Sequence, residues 1–189
     1  ISYYGRDIMK SRFSNNYIAK FFMATDGWNK FAETKLAEIV SDTASGPKFT
    51  YAHFFLPHAP VYYDSTGKYV SKEIMFGTLV HINKEILLSH VKYTNMKIQS
   101  IVSNIVSKDS GAIVIVISDH GMRHYNSSTP KEPFFFDNIC FMRFPNRNYP
   151  AFRDKWSNVN VYPYVFNNQF NQQIPYQQDS TVLILDKEP

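Results

Sequence analysis

Asp119 and His120 stand side by side, Gly121 follows them, and Arg123 and His124 come just after. A carboxylate and an imidazole are both ligands for divalent metals. Neighbours on an extended strand point to opposite faces, but on the turn that Gly121 allows both can converge. The same pair fits two plainer roles, a structural hydrogen bond or part of a serine-hydrolase relay. The relay lacks its partner, because no GxSxG elbow is present. His58 and His124 add imidazoles able to bind an anionic group or to protonate a leaving oxygen, and Arg123 is a further ligand for an anion. Neither a Walker loop nor GxGxxG occurs. The single cysteine, Cys140, rules out an internal disulfide and a Cys-based zinc cage. It lies in the apolar run NICFMRF and reads as a buried core thiol, with a nucleophile as the alternative.

These groups need elements to hold them. Residues 112–117, AIVIVI, form an unbroken apolar run rich in β-branched residues, which predicts a strand buried on both faces. Asp119 and His120 follow its carboxyl end, where open α/β sheets keep their ligands. Phe49 to Leu56 is aromatic-rich and predicts a second buried strand. It stops at Pro57-His58-Ala59-Pro60, a turn stiffened by its prolines, so His58 also lies just past a strand end. His53, inside that strand, reads as a hydrogen-bonded core histidine. Tyr62 to Gly77 reads as a polar, Tyr-rich connection. From about Thr78 to Val106 the period is helical, with Leu87, Val91, Thr94, Ile98, Ile101, Val102 and Ile105 on one face. His81 and His90 in this region read as surface or packing residues, and Gly111 as a C-terminal cap.

Strand, loop, helix and strand in that order make a βαβ crossover. This predicts parallel pairing and an α/β fold, a three-layer sandwich with a mostly parallel sheet. Upstream, residues 1–27 show only loose helical spacing. A helix over Trp28–Val40 has Trp28, Phe31, Ala32, Leu36, Ile39 and Val40 in one stripe, with Asp26 or Gly27 capping its start. Downstream, Phe134 to Phe144 predicts a strand near the sheet edge. Ser157 or Asn158 opens a helix through Phe170, with Val161, Tyr162, Val165, Phe166 and Phe170 inward and Pro163 tolerable in the first turn. TVLIL at 181–185 predicts a last short strand.

Composition narrows the class. The 189 residues suffice for one domain with a sizeable core, and 16 Phe with 13 Tyr favour packing over disorder. A net charge of +4 without a dense Lys/Arg stripe gives no footprint for nucleic acid. No segment reaches the roughly 18–20 apolar residues that span a bilayer. The chain opens on Ile in mid-pattern, with no signal peptide visible. It is expected to be a piece of a longer protein, with any export signal or anchor upstream.

Four stretches together carry a resemblance: FTYAHFFLPHAPVYYD (49–64), HVKYTNMKIQSIVSNIV (90–106), VIVISDHGMR (114–123) and NVNVYPYVFN (158–167). At this spacing they resemble the C-terminal half of the sulfatase-like branch of the alkaline phosphatase superfamily. That branch includes arylsulfatases, phosphoethanolamine transferases and lipoteichoic acid synthases. The resemblance implies an alkaline phosphatase-like fold and hydrolysis or transfer of a phosphate or sulfate ester. It implies one or two divalent metals (Zn, Mn, Mg or Ca) and a Thr, Ser or formylglycine nucleophile. Matched motif by motif, Asp119 and His120 would be metal ligands. His58, and His124 where the spacing after the turn permits, would contact the phosphoryl or sulfuryl oxygens or protonate the leaving group.

The family's nucleophile and other acidic ligands belong to its N-terminal half. The formylglycine motif CxPxR is absent, since Phe141, Met142 and Arg143 follow Cys140. Residues 48–189 are thus expected to be the C-terminal part of a sulfatase-like domain, present as a fragment that lacks its nucleophile and is inactive alone. Residues 1–47 form an unassigned helical segment. The implied partners are the ester substrate and the missing N-terminal half, with the membrane reached only through an upstream anchor. The resemblance places such a protein outside the cytoplasm, in the periplasm or cell envelope. The alternative is a non-catalytic α/β domain of the same fold that binds a partner or glycan through its aromatic surface.

Overall fold

The computed structural model describes residues 15–43, 46–79, 81–122, 136–150 and 157–180. It divides the chain into two compact units, Ile1–Lys108 and Asp109–Pro189. Three helices are described in the first unit: α1 Asn15–Ser41, α2 Lys72–Gly77 and α3 Lys84–Lys108. The α1 helix is part of this unit and packs along α3, where Lys97 of α3 pairs with Glu33 of α1.

The α3 helix follows its apolar period. His90 and Thr94 are buried, and Leu87, Val91, Ile98, Ile101, Val102 and Ile105 are half-buried on the same side. It starts at Lys84 rather than near Thr78 because Asn83 caps it, the side-chain oxygen accepting from the Ile86 N–H at 2.9 Å. The shorter α2 precedes it, capped by Ser71, which accepts from the Ile74 N–H at 3.3 Å. After Lys108 the chain turns on Asp109, whose carboxylate accepts from the Gly111 N–H at 2.9 Å. Gly111 therefore sits inside an Asp-stabilised turn and is not the helix's left-handed cap.

The α1 helix departs from its pattern. It starts at Asn15 and runs through Asp26 and Gly27, so neither caps it. Its predicted inward stripe faces solvent at Trp28 (58% exposed) and Phe31 (52%), while Asp26 and Asn29 are buried. Hydrogen bonds set this rotation. Asn29 accepts from the Phe55 N–H at 2.8 Å, and Asp26 is held by tyrosines from the following loop. Tyr62 and Tyr63, expected in a polar connection, are instead core: they are buried with Val61, Ile82 and His90. The loop closes around Asp64, which accepts from the Thr66 and Lys68 N–H groups. Gly67 has φ +84°, and a Cβ there would meet the Tyr93 ring at 3.4 Å, so the turn requires glycine.

The predicted strand Phe49–Leu56 lies outside any ladder among the described residues. It carries no regular structure and is largely exposed, at 83% for Phe49 and 74% for Tyr51. His53 is exposed rather than core, beside Tyr51 and Phe55, with the Tyr51 hydroxyl 3.2 Å from its Nδ1. Apolar, β-prone residues form a stable strand only when neighbouring strands supply hydrogen bonds and a face to pack on.

In the second unit β1 Val114–Ile117 pairs antiparallel with β2 Cys140–Arg143, Val114 opposite Arg143 and Ile117 opposite Cys140. This is the one ladder between strands among the described residues. The parallel sheet and the three layers are not seen there. Burial on β1 falls from Val114 to Ile117, so it is not covered on both faces as expected. The predicted strand before Phe144 is present as β2, although Phe134 lies outside the described residues, as does TVLIL at 181–185. A 3-10 turn, Asn158–Asn160, leads into α4, Val161–Gln169, with Pro163 in its first turn. Val161, Tyr164 and Val165 point inward. Tyr162, Phe166 and Phe170, expected with them, are exposed. Phe144, Tyr164 and Val165 form the core, with Ile113, Ile115 and Met142 packed against it.

Beyond α4 the tail is held by side-chain amides. Asn167 brackets Ile174, accepting from its N–H at 2.7 Å and donating to its carbonyl at 2.8 Å. Asn160 brackets Gln177 in the same way, at 2.8 and 3.1 Å.

Candidate functional site

Asp119 and His120 leave the end of β1 on a tight bend. The His120 N–H donates to Asp119 Oδ1 at 3.0 Å, and His120 Nε2 stands 3.5 Å from Asp119 Oδ2. The imidazole's other nitrogen, Nδ1, lies 2.6 Å from the Gly121 carbonyl oxygen. A carbonyl can only accept, so this bond places the neutral ring's proton on Nδ1 and the lone pair on Nε2. The Asp119 side chain is 79% exposed and that of His120 28%. The bend thus turns two adjacent residues, which on a strand would diverge, toward one point.

The donor set can be tested against a metal. Bonds of about 2.0–2.2 Å from one ion to a nitrogen and an oxygen, at a tetrahedral angle, put the donors about 3.4 Å apart. The observed 3.5 Å matches that span, and the tautomer leaves the lone pair where a ligand needs it. The pair therefore fits two positions of a divalent ion's shell. Among the described residues no group of three or more His, Cys, Asp or Glu side chains is arranged to hold a metal.

Behind the pair lies a network that the sequence patterns did not reveal. The Ser118 carbonyl accepts from Asn158 Nδ2 at 2.8 Å and from Asn138 Nδ2 at 3.3 Å, and Asn138 also donates to Asn158 Oδ1 at 2.9 Å. The Ser118 N–H donates to the Ile139 carbonyl at 3.1 Å, and its hydroxyl accepts from the Ile139 N–H at 2.9 Å. Asn158 was legible as a helix start and as the head of the stretch 158–167, with no role in a site. Its partners lie far along the chain, so no local motif marks them.

The other predicted site residues divide. His58 belongs to the first unit. It is exposed, its N–H donates to the Phe55 carbonyl at 2.9 Å, and its Nδ1 is bonded to the Ala59 carbonyl. Each of the two described site histidines thus ties Nδ1 to the carbonyl of the residue after it. Arg123 and His124 lie outside the described residues. Cys140 is half-buried, and burial pushes its thiol pKa up, away from nucleophile chemistry. Of the remaining histidines, His81 is exposed and His90 is fully buried, a packing residue. Its Nδ1 donates to the Tyr63 carbonyl at 3.2 Å, and burial lowers its pKa.

A dense cluster of titratable groups lies elsewhere among the described residues, at Asp26 in the first unit. Its carboxylate accepts from the Tyr63 hydroxyl at 2.7 Å and the Tyr69 hydroxyl at 2.8 Å, and pairs with Lys30 at 2.9 Å. Burial works to raise its pKa, but the bonds from Lys30, Tyr63 and Tyr69 outweigh that and hold it below the ordinary range. Every strong contact of this carboxylate comes from its own chain.

The sulfatase family model matches residues 2–176. The chain belongs to the sulfatase family. The match takes in the N-terminal stretch, residues 2–47, that the motifs did not reach, together with Asp119, His120 and His58. It supports a hydrolase or transferase kind of function within the sulfatase superfamily, whose members generally use divalent metal ions, and an alkaline phosphatase-like α/β fold. No curated protein and no solved structure matches the chain. No helix among the described residues is long and apolar enough to cross a membrane.

Proposed function

We propose that this chain supplies part of the site of a metal-dependent enzyme that hydrolyses or transfers a phosphate or sulfate ester. The observation that carries the reading is the 3.5 Å span between Asp119 Oδ2 and His120 Nε2 at the carboxyl end of β1. Asp119 provides an anionic oxygen, and His120 a nitrogen lone pair whose tautomer the Gly121 carbonyl maintains. A bound divalent ion supplies polarisation of the ester and a lowered pKa for the nucleophile. His58 and His124 meet the ester's oxygens or give a proton to the leaving group, and Arg123 adds a planar donor set for an anion. The fold proposed with this activity is a three-layer sandwich with a mostly parallel sheet. Its support is the aromatic-rich, β-prone composition of Phe49–Leu56 and the unbroken apolar run Ala112–Ile117. Extracytoplasmic placement rests on the resemblance to envelope transferases.

Two donors hold an ion more weakly than the four of a closed site. The 189-residue chain should therefore bind Zn2+ weakly, and it should not turn over a phosphate or sulfate ester without the nucleophile proposed to lie upstream. Calorimetric titration of the chain with Zn2+, beside Asp119→Ala, tests the ligand assignment. Unchanged affinity in the variant removes Asp119 from the site, and ester turnover by the chain alone defeats the division of the active site.

A second reading draws on the exposed rings of Tyr162, Phe166 and Phe170, which run along α4 at centroid spacings of 6.4 and 5.7 Å. Such a face suits a non-catalytic domain binding a partner or glycan. Full activity of the longer protein after Asp119→Ala would favour it.

A further inference from the structure

The amide network behind the candidate ligands has a geometry that bears on them directly. We propose that Asn158, assisted by Asn138, is a positioning residue for Asp119 and His120, acting through the Ser118 carbonyl; this rests on the reading of that pair as metal ligands. The peptide joining Ser118 to Asp119 is planar, so the direction of the Ser118 carbonyl fixes the direction of the Asp119 N–H and the placement of its Cα. Along a continuing antiparallel ladder that carbonyl would accept a backbone N–H. Here the Ile139 N–H is taken by the Ser118 hydroxyl, and the carbonyl accepts from the two asparagine amides instead.

The network is closed and its orientation is determined. Asn158 must present Nδ2 to Ser118, because its Oδ1 is occupied by the Asn138 amide at 2.9 Å. Asn138 spends one N–H on Asn158 and the other on Ser118. Both lone pairs of the Ser118 oxygen are filled, and its N–H and hydroxyl are engaged as well. The peptide from which Asp119 departs therefore cannot rotate without breaking bonds on both sides. The mount matters because the carboxylate itself is exposed, with the His120 N–H donating to its Oδ1 at 3.0 Å.

The sharp test is Asn158→Asp. It preserves size and the acceptor for Asn138, removes the donor to Ser118, and sets a carboxylate oxygen against the carbonyl. Groups behind metal ligands typically contribute 10–100-fold to affinity, so a loss of about tenfold in Zn2+ affinity is expected in the full chain by calorimetry. Asn138→Ala, which leaves the stronger Asn158 bond in place, should lose about threefold, and serves if Asn158→Asp fails to fold. Melting in EDTA separates the roles. A merely structural clamp would lower the melting temperature of the metal-free protein and leave the affinity of the folded protein unchanged, which overturns the proposal. Asp119→Ala is the control. If it weakens Zn2+ binding while both asparagine variants bind as the parent does, the positioning role fails and the ligand reading stands. If it has no effect, the ligand reading fails and the positioning role falls with it.

Discussion

Asp26 and Asp119 are the same residue type in opposite circumstances. Asp26 is buried, and both its oxygens are occupied by Tyr63, Tyr69 and Lys30 of its own unit. Asp119 projects into solvent beside a histidine lone pair. A carboxylate satisfied by its own chain is part of the scaffold, however many titratable groups surround it. One held at its base, with a second donor 3.5 Å away, keeps its oxygens open to solvent. Density of polar groups alone therefore does not single out the proposed ligands.

Exchanging the two readouts sharpens that contrast. Asp119→Ala should weaken Zn2+ binding by more than the roughly 100-fold upper range for groups behind ligands, yet change urea stability by no more than about 0.5 kcal/mol. Asp26→Ala should do the reverse. Removing the charged acceptor of Tyr63 and Tyr69, with only the Tyr69 hydroxyl at 3.0 Å left to take the Tyr63 proton, costs about 1.5–3 kcal/mol in urea unfolding, while Zn2+ affinity of the folded protein stays put. Lys30 is 58% exposed at its side chain, so its ion pair adds little to that figure. A fall in metal affinity on Asp26→Ala would erase the distinction between scaffold and site.

The first unit should also be acid-sensitive, in two windows. The folded pKa of His90 lies below its ordinary 6.5 because of burial, so the unfolded state takes the proton first. Stability is complete above pH 6.5 and declines as pH falls, by at most about 1.4 kcal/mol per unit, until the folded imidazole protonates as well. The Asp26 window comes lower. Its folded pKa is depressed below 3.8, so its contribution is present above that pH and is lost as pH falls through the folded value. His90→Gln should flatten the upper window in urea titrations and leave the lower one. Tyr69→Phe, which removes an exposed donor to Asp26, should cost about 1 kcal/mol or less.

What could be read in advance was what repeats locally. The α3 stripe from Leu87 to Ile105 follows the helical period and faces inward, and the apolar run before Ser118 does contain a strand. The α1 stripe is half-buried at Ala32, Leu36 and Val40 but exposed at Trp28, Phe31 and Ile39, because Asp26 and Asn29, reaching tyrosines and a backbone N–H far along the chain, turn the start of the helix. Phe49–Leu56 has the composition of a central strand, but composition cannot provide a neighbour's hydrogen bonds. At the site, the adjacency of Asp119, His120 and Gly121 was visible. The asparagines were not, since Asn138 and Asn158 meet Ser118 across 20 and 40 positions with no periodic pattern to announce them.

The tail's attachment to α4 has a metric consequence. Asn160 and Asn167 are separated by about 10.5 Å of helix axis. Ile174 and Gln177, the residues they grip, are three residues apart, a stretch of about 10 Å at full extension. Two rulers of different pitch coincide at these two rungs, and the tail runs back along the helix like a rack meshed with two teeth. Sliding it by one residue would move each rung by about 3.3 Å, farther than a side-chain amide can follow. The strap therefore counts residues, and it admits one alignment of the tail on the helix.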